Sequence, residues 1–564
     1  MYFEGNPGRG RGPQGPFATA TRGILLNGAS SRPLCGFALK PLPSSFCVIG
    51  LLGLLGACSP NSLSDHDSTL HRALGGEPAT LDPGTAADNF SVAMLLDLYE
   101  GLTSESPSGE VIPGVAESWT LDSTGTQYTF HLRTDARWSN GHQVRAQDFV
   151  ASWQRTVDPK FGSPTADDLR LISRAGDILS GKAAPSALGV TAYSDSTLVV
   201  KLERPAAYFP QILAHPSAFP IYSEATARTH SPKDWISNGP YTLAAWQPAT
   251  GIDLTANPQY WDHNNVHIKS VSYKFIPNDS SQYAGYRAGE IDVTDIVPAN
   301  ALPTLRQGYP SQLIIAPFLA TAYYGINLTQ EKLSNVALRQ ALAMAIDRKR
   351  LVESLGFGQS GAYGFVPPGT ADYTPQSWDW KTLADAERIA EARRLYAQAG
   401  FSTTKPLRLR VLFNTNEVIQ RTAVVIAAMW REVLGIEVEL TAEEFKVFLQ
   451  SRHDTSRWDV ARLAWTADFN DASNFLDVMR VHSPNNDMGY VNPQFDSALD
   501  KAADMTDVSR RRAALQSAEK VMLDDYPIIP LYYFVSKRLV KPYVLGVVPN
   551  PMNHLPSKAL SFSQ

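Results

Sequence analysis

The sequence predicts an α/β fold divided into lobes, on three observations. The chain has 564 residues, more than one hydrophobic core usually organises, so two or three compact bodies are expected. Residues 407 to 440 read as strand, helix, strand, a unit whose length calls for parallel strands joined by a right-handed crossover. Residues 72 to 325 mix short strands and helices between turn signals such as "SPSGE", "DSTGT" and "SNGH".

In chain order, "TQYTFHL" (126–132) alternates like a half-buried strand. "AQDFVASWQRTVD" (146–158) has the spacing of an amphipathic helix and is stopped by Pro159. "KLSNVALRQALAMAIDRKRLVESLGFG" predicts one helix with Ser334 as N-cap and Gly356 near its end. "LRLRVLF" (407–413) alternates as a strand, "VIQRTAVVIAAMWREVL" (418–434) is a helix stopped by Gly435, and "IEVEL" follows as another strand. "WDVARLAW" (458–465) is a third strand candidate, with Arg462 inside its apolar run and Asp468 three residues past its end. Ligands bind at the carboxyl ends of parallel strands, which places Asp468 at a cleft edge. An unpaired buried charge costs roughly several kcal/mol, so this acid and this base need counter-charges, either each other or a ligand.

Composition is that of a soluble globular protein, 44% hydrophobic and 19% charged, with a net charge of −5. No basic stripe is available to neutralise phosphates, which argues against a nucleic-acid partner. Residues 1 to 57 carry Arg9, Arg11, Arg22, Arg32 and Lys40 against Glu4 alone, so the chain beyond them is more acidic still. The cysteines, Cys35, Cys47 and Cys58, all lie within the first 58 residues, so the folded body can hold no disulfide and no cysteine-ligated metal. "SSFCVIGLLGLLGACSP" supplies an apolar stretch suited to a signal peptide and too short to span a bilayer comfortably. It ends at Leu55-Gly56-Ala57-Cys58, which resembles a lipoprotein acylation site, followed by the polar tether "NSLSDHDSTLH". Residues 1 to 57 are read as a signal peptide with a long N-terminal extension, and 58 to 75 as the tether.

Other motifs carry little chemistry. His263 and His267 in "HNNVH" flank an Asn-Asn pair that favours a turn over a metal site. "GFGQSGAYG" follows a helix and lacks a P-loop lysine, and "DARWSNGH" reads as a hairpin turn. No G-x-S-x-G, H-E-x-x-H or S-x-x-K motif stands in the context a hydrolase requires. Neither a metal nor a cofactor is expected.

Several stretches occur together in one order: "NFSVAMLLDLYEGLTSESPSGEVIPGVAESWTLDSTGTQYTFHLRTDARWSNGHQVRAQDFVASWQRTVDP", "NGPYTLAAWQPATGIDLTANPQYWD", "YRAGEIDVT", "YYGINLTQEKLSNVALRQALAMAIDRKRLVE" and "DDYPIIPLYYFVSKRLVKP". From about residue 76 to 545 the chain resembles the extracytoplasmic solute-binding proteins of peptide ABC importers, the oligopeptide-binding type of family 5. The resemblance implies a periplasmic-binding-protein-like fold of two hinged lobes with an extra lobe inserted. Lobe I would comprise 59–100, 226–325 and 535–564, lobe II 101–225, and lobe III 326–534, with hinge crossings near 325 and 535 and a C-terminal tail returning to lobe I. It also implies that Asp468 binds a peptide α-amino group and Arg462 its carboxylate. Arg452 would serve the carboxylate of ligands of another length, with Trp465 and Phe445 as pocket walls. Ile419 stands where the family can place a histidine, a departure that bears on which peptide lengths are preferred.

The function so implied is capture of oligopeptides outside the cytoplasmic membrane by a monomeric, non-enzymatic lipoprotein anchored at Cys58 in the periplasm or at the cell surface. It would deliver its cargo to an ABC permease and ATPase complex and touch the membrane only through its lipid. The competing reading is the same fold with a different cargo, a murein peptide, nickel chelate, heme or sugar. A secreted hydrolase is a more distant alternative. Asp468 discriminates, because a ligand without a free amino terminus gives a cleft carboxylate nothing to bind.

Overall fold

Three sheets organise the folded body. A computed structural model describes residues 69–223 and 234–563. The expected signal peptide, Cys58 and most of the tether lie outside the described residues. Among those described, no helix is long and apolar enough to cross a membrane.

The first sheet has the order Thr69–Leu74, Ser270–Phe275, Gly251–Ala256, Tyr241–Gln247. Its first pair is parallel and the others antiparallel. The second, wholly antiparallel, runs Ala116–Leu121, Gln127–Leu132, Thr197–Lys201, Val190–Ser194. Gln127–Leu132 is the strand expected at 126–132, and its alternation buries Tyr128, Phe130 and Leu132. The expected helix at 146–158 is Ala146–Thr156. The cores of these two sheets are continuous, with Leu70, Leu254 and Tyr273 in the same apolar cluster as Phe130, Trp153 and Val200.

The third sheet is mixed and six-stranded, in the order Ser360–Gly361, Ile528–Leu539, Leu313–Ile326, Val460–Thr466, Arg408–Asn414, Glu437–Glu443. Arg408–Asn414 and Glu437–Glu443 pair in parallel across the helix Glu417–Leu434. That helix forms because Asn416 accepts from the N–H groups of Val418 and Ile419 at its start, while Gly435, at φ +71°, ends it. Ile419, Ala423, Ile426 and Trp430 fall on one buried stripe, and the Trp430 indole donates to Leu342 O at 2.9 Å. Ile419 is therefore a core residue, 6% exposed.

The single helix expected from Ser334 to Gly356 is instead two, Val336–Met344 and Arg348–Leu355. Ser334 closes a preceding 3-10 turn, and the N-cap is Asn335, which accepts from Ala337 and Leu338. Asp347 caps the second helix by accepting from Arg350 N–H. The break has a cause in Arg348, which is fully buried with no carboxylate partner among the described residues and donates to the carbonyls of Ala343, Ile346, Ala362 and Pro530. A continuous helix would need the first two of those carbonyls for its own ladder.

Leu313–Ile326 and Ile528–Leu539 are long enough to leave the third sheet. They pair antiparallel from Gly325 opposite Ile528 to Leu313 opposite Leu539, with the register broken between Pro317 and Thr321. At the far end Leu539 packs with Ala73 and Tyr286, and its N–H donates to Thr294 Oγ1. The C-terminal tail then crosses to the first sheet, where the Ser557 N–H donates to buried Asp97 and Arg72 donates to Ser557 Oγ at 2.7 Å.

Candidate ligand-binding site

Val460–Thr466 lies between Leu313–Ile326 and Arg408–Asn414 in the third sheet. It runs parallel to Arg408–Asn414, so its carboxyl end and theirs point the same way. Asp468 follows two residues after this strand's last residue, Thr466, one fewer than expected.

Asp468 and Arg462 do not pair. Among the described residues neither has an ion-pair partner at all. Arg462 is half-buried, opposite Tyr324 in the sheet, and its electrostatic neighbours are the phenols of Tyr532, Tyr324 and Tyr323. Loss of water pushes its pKa down from the usual arginine range. Asp468 is exposed, yet the protein packed around it desolvates its carboxylate. That desolvation, helped by the negative charge of Asp168, raises its pKa to about 6, against the opposing effects of His215 and the Asn474 hydrogen bond.

Asp168 and His215 reach the site from the segments around the second sheet, with His215 Nδ1 3.6 Å from Asp168 Oδ2. Burial raises Asp168 to about 6 and lowers His215 to about 4, so the imidazole is neutral at pH 7 and accepts the Ser217 N–H. The contact between the segments around the second sheet and those around the third continues next to Asp468. The rings of Phe469 and Tyr208 stack at 5.3 Å and 3°, and the Arg511 guanidinium covers Tyr208 at 4.9 Å.

Of the remaining expected residues, Arg452 and Phe445 precede the strand, while Trp465 lies at its Asp468 end. Arg452 faces Asp487, with Nε 3.4 Å from Oδ2, and Asp487 also meets His453 Nδ1 at 2.6 Å. Arg452 thus has an internal counter-charge where Arg462 has none. Both arginines act on the buried Tyr323, which places them in one neighbourhood. Phe445 is half-buried at the start of the helix Phe445–Ser451, its ring 6.5 Å from that of buried Phe448. Trp465 is half-buried, and its indole N–H donates to Asn474 Oδ1 at 2.8 Å.

A family model for bacterial extracellular solute-binding proteins, family 5, matches residues 110–487, a span that contains Asp168, His215, Arg452, Arg462, Asp468 and Asn474. The chain belongs to that family. This family 5 chain is 38% identical to the periplasmic oligopeptide-binding protein OppA of Escherichia coli over 490 residues, 85% of this chain and 89% of OppA. It is 36% identical to the E. coli periplasmic murein peptide-binding protein MppA over 486 residues, 85% of this chain and 90% of MppA. Its fold matches the unliganded open form of the murein tripeptide-binding protein MppA with a TM-score of 0.80 at 35% identity, covering 88% of this chain and 98% of that one. The family is one of binding proteins, and its periplasmic-binding-protein fold is the one the resemblance implied.

Asn474, Asp168, His215 and the Tyr208–Phe469 stack were not singled out from the sequence. Asn474 left a signal in "DASN", where Asp471 caps the short helix Ala472–Leu476. Asp168 and His215 left none, because they lie hundreds of residues from Asp468 and meet it only in the folded chain.

Proposed function

We infer that this family 5 protein captures short peptides outside the cytoplasmic membrane and hands them to an ABC importer. One observation carries the reading: a carboxylate and a guanidinium, each without a counter-ion among the described residues, stand on one strand and the turn that follows it. A peptide brings one ammonium and one carboxylate and satisfies both. Six residues of extended chain span about 20 Å at most, and the reach of the arginine side chain shortens that gap to the length of a few peptide residues. Charge-assisted bonds at the two ends contribute about 1.5–3 kcal/mol each in such a site. The peptide backbone between them can pair as an added strand, which gives affinity that ignores side-chain identity.

The lobes proposed are 59–100 with 226–325 and 535–564, then 101–225, then 326–534. The long pair Leu313–Ile326 and Ile528–Leu539 serves as the hinge. Trp465 and Phe445 wall the side-chain pockets. Arg452 turns from Asp487 toward the carboxylate of a ligand of another length. The second reading, a murein peptide, is favoured by the nearness of Arg452 to Arg462, which offers room for an additional carboxylate. Native mass spectrometry of gently purified protein tests both readings. A co-purifying oligopeptide is expected, and a cargo with no free amino group would overturn the assignment.

Binding should depend on pH in a defined direction. A bound ammonium favours ionised Asp468, so affinity for free peptides rises as pH increases through about 6. Calorimetry at about pH 5.5, in buffers of different ionisation enthalpy, is expected to detect proton release for free peptides and none for N-acetylated ones. In the empty protein the sign is reversed. The raised pKa makes the ionised carboxylate a cost to folding, one that appears between the unfolded value of about 4 and about 6.

The protein acts as a monomer, held to the membrane by lipid on Cys58 in the periplasm or at the cell surface. Cys58→Ser is expected to move it from the membrane fraction to the soluble one. Unchanged fractionation would remove the anchor.

A further inference from the structure

Asn474 makes three hydrogen bonds toward the site. Its Oδ1 accepts from the Trp465 indole N–H at 2.8 Å and from the Asp468 backbone N–H at 3.2 Å, and its Nδ2 donates to Asp468 Oδ2 at 3.3 Å. The amide cannot be turned over, because the indole and the backbone are both donors and require the carbonyl oxygen on their side. The NH2 group is therefore directed at the carboxylate. Asn474 is 7% exposed and sits on the short helix Ala472–Leu476. Asp471 caps that helix through the Ser473 N–H, and Arg511 grips Asp471 with two bonds of 2.7 Å. The helix is thus pinned by a fork of charge-assisted bonds.

We propose that Asn474 is a positioning residue for peptide recognition: it holds Asp468 through Oδ2 and occupies the indole N–H of Trp465, so that the carboxylate is oriented with Oδ1 toward the ligand's ammonium beside an indole that offers only its apolar surface. Asp468 Oδ1 carries no hydrogen bond among the described residues and is the oxygen left for the ligand. The first side-chain pocket consequently selects by shape and apolar contact, because its aromatic wall has no hydrogen to give. This inference rests on the reading of Asp468 as the ammonium site.

Two substitutions test it. Asn474→Leu removes all three bonds and is expected to lower affinity for a free peptide about tenfold, the worth of one charge-assisted bond, while the N-acetylated peptide changes by less than about twofold. Asn474→Asp keeps both accepted bonds and so retains the fold and the indole, but sets a second carboxylate against Asp468 Oδ2. The acid limb of the free-peptide affinity profile is then expected to move to higher pH. Thermal unfolding of both variants reports on folding. Equal losses for free and acetylated peptides in Asn474→Leu, or a wild-type pH profile in Asn474→Asp, would reduce Asn474 to a structural amide and overturn the inference. If the wild-type protein itself fails to distinguish the two peptides, the ammonium site fails first, and that result is read separately in the same titrations.

Discussion

Asp468→Ala is expected to weaken binding of free peptides by about 2 kcal/mol or more, roughly thirtyfold. N-acetylated peptides, which are expected to bind the wild type poorly, should lose little further. The reason is the lack of an internal partner: nothing else in the described residues neutralises this carboxylate, so its charge-assisted bond is made only with cargo. Asp168 and His215 cannot replace it, since Asp168 comes from the segments around the second sheet and His215 is neutral at pH 7. Stability should move the other way. A carboxylate with a raised pKa costs the empty protein free energy at neutral pH, so the variant's Tm at pH 7 should not fall. Equal calorimetric affinities for free and acetylated peptides in the wild type would contradict the ammonium site outright.

Arg462→Ala should produce a loss of similar size, about 2 kcal/mol, but only for peptides whose carboxylate reaches residue 462. A series of increasing length, measured by calorimetry, is expected to show one length hurt most. A uniform loss would mean an arginine that merely shapes the sheet. Because its neighbours are neutral phenols, its removal orphans no buried carboxylate, and Tm should hold. Arg452 contrasts with it. Asp487 is 97% buried by side chain and would be left with His453 alone, so truncating Arg452 removes half of its compensation. Two arginines that look alike in sequence thus differ in what they do for the empty protein.

Local chemistry made much of the third sheet legible. Glu417–Leu434 has its asparagine cap, apolar stripe and terminal glycine within twenty residues of one another, and it falls within one residue of its expected limits. The helix after Ser334 was misjudged because its break is set by Arg348, whose carbonyl partners Ala362 and Pro530 lie on distant segments. Asp468 and Arg462 were legible because a charge in or just past an apolar strand contradicts its surroundings. Asn474 was not, since an asparagine on a short helix looks like any other until its amide is seen between an indole and a carboxylate.

The sequence by itself determined the α/β character and singled out the strand at 458–465 with the charges Arg462 and Asp468, because period, caps and misplaced charge are properties of neighbouring residues. Only the tertiary structure decided that Arg452 is already matched by Asp487, that Asp168 and His215 face Asp468, and that Asn474 aims it. Each of those depends on segments far apart in the chain being folded to within a few ångströms, where electrostatic and hydrogen-bond energies become large, and no local pattern encodes that approach.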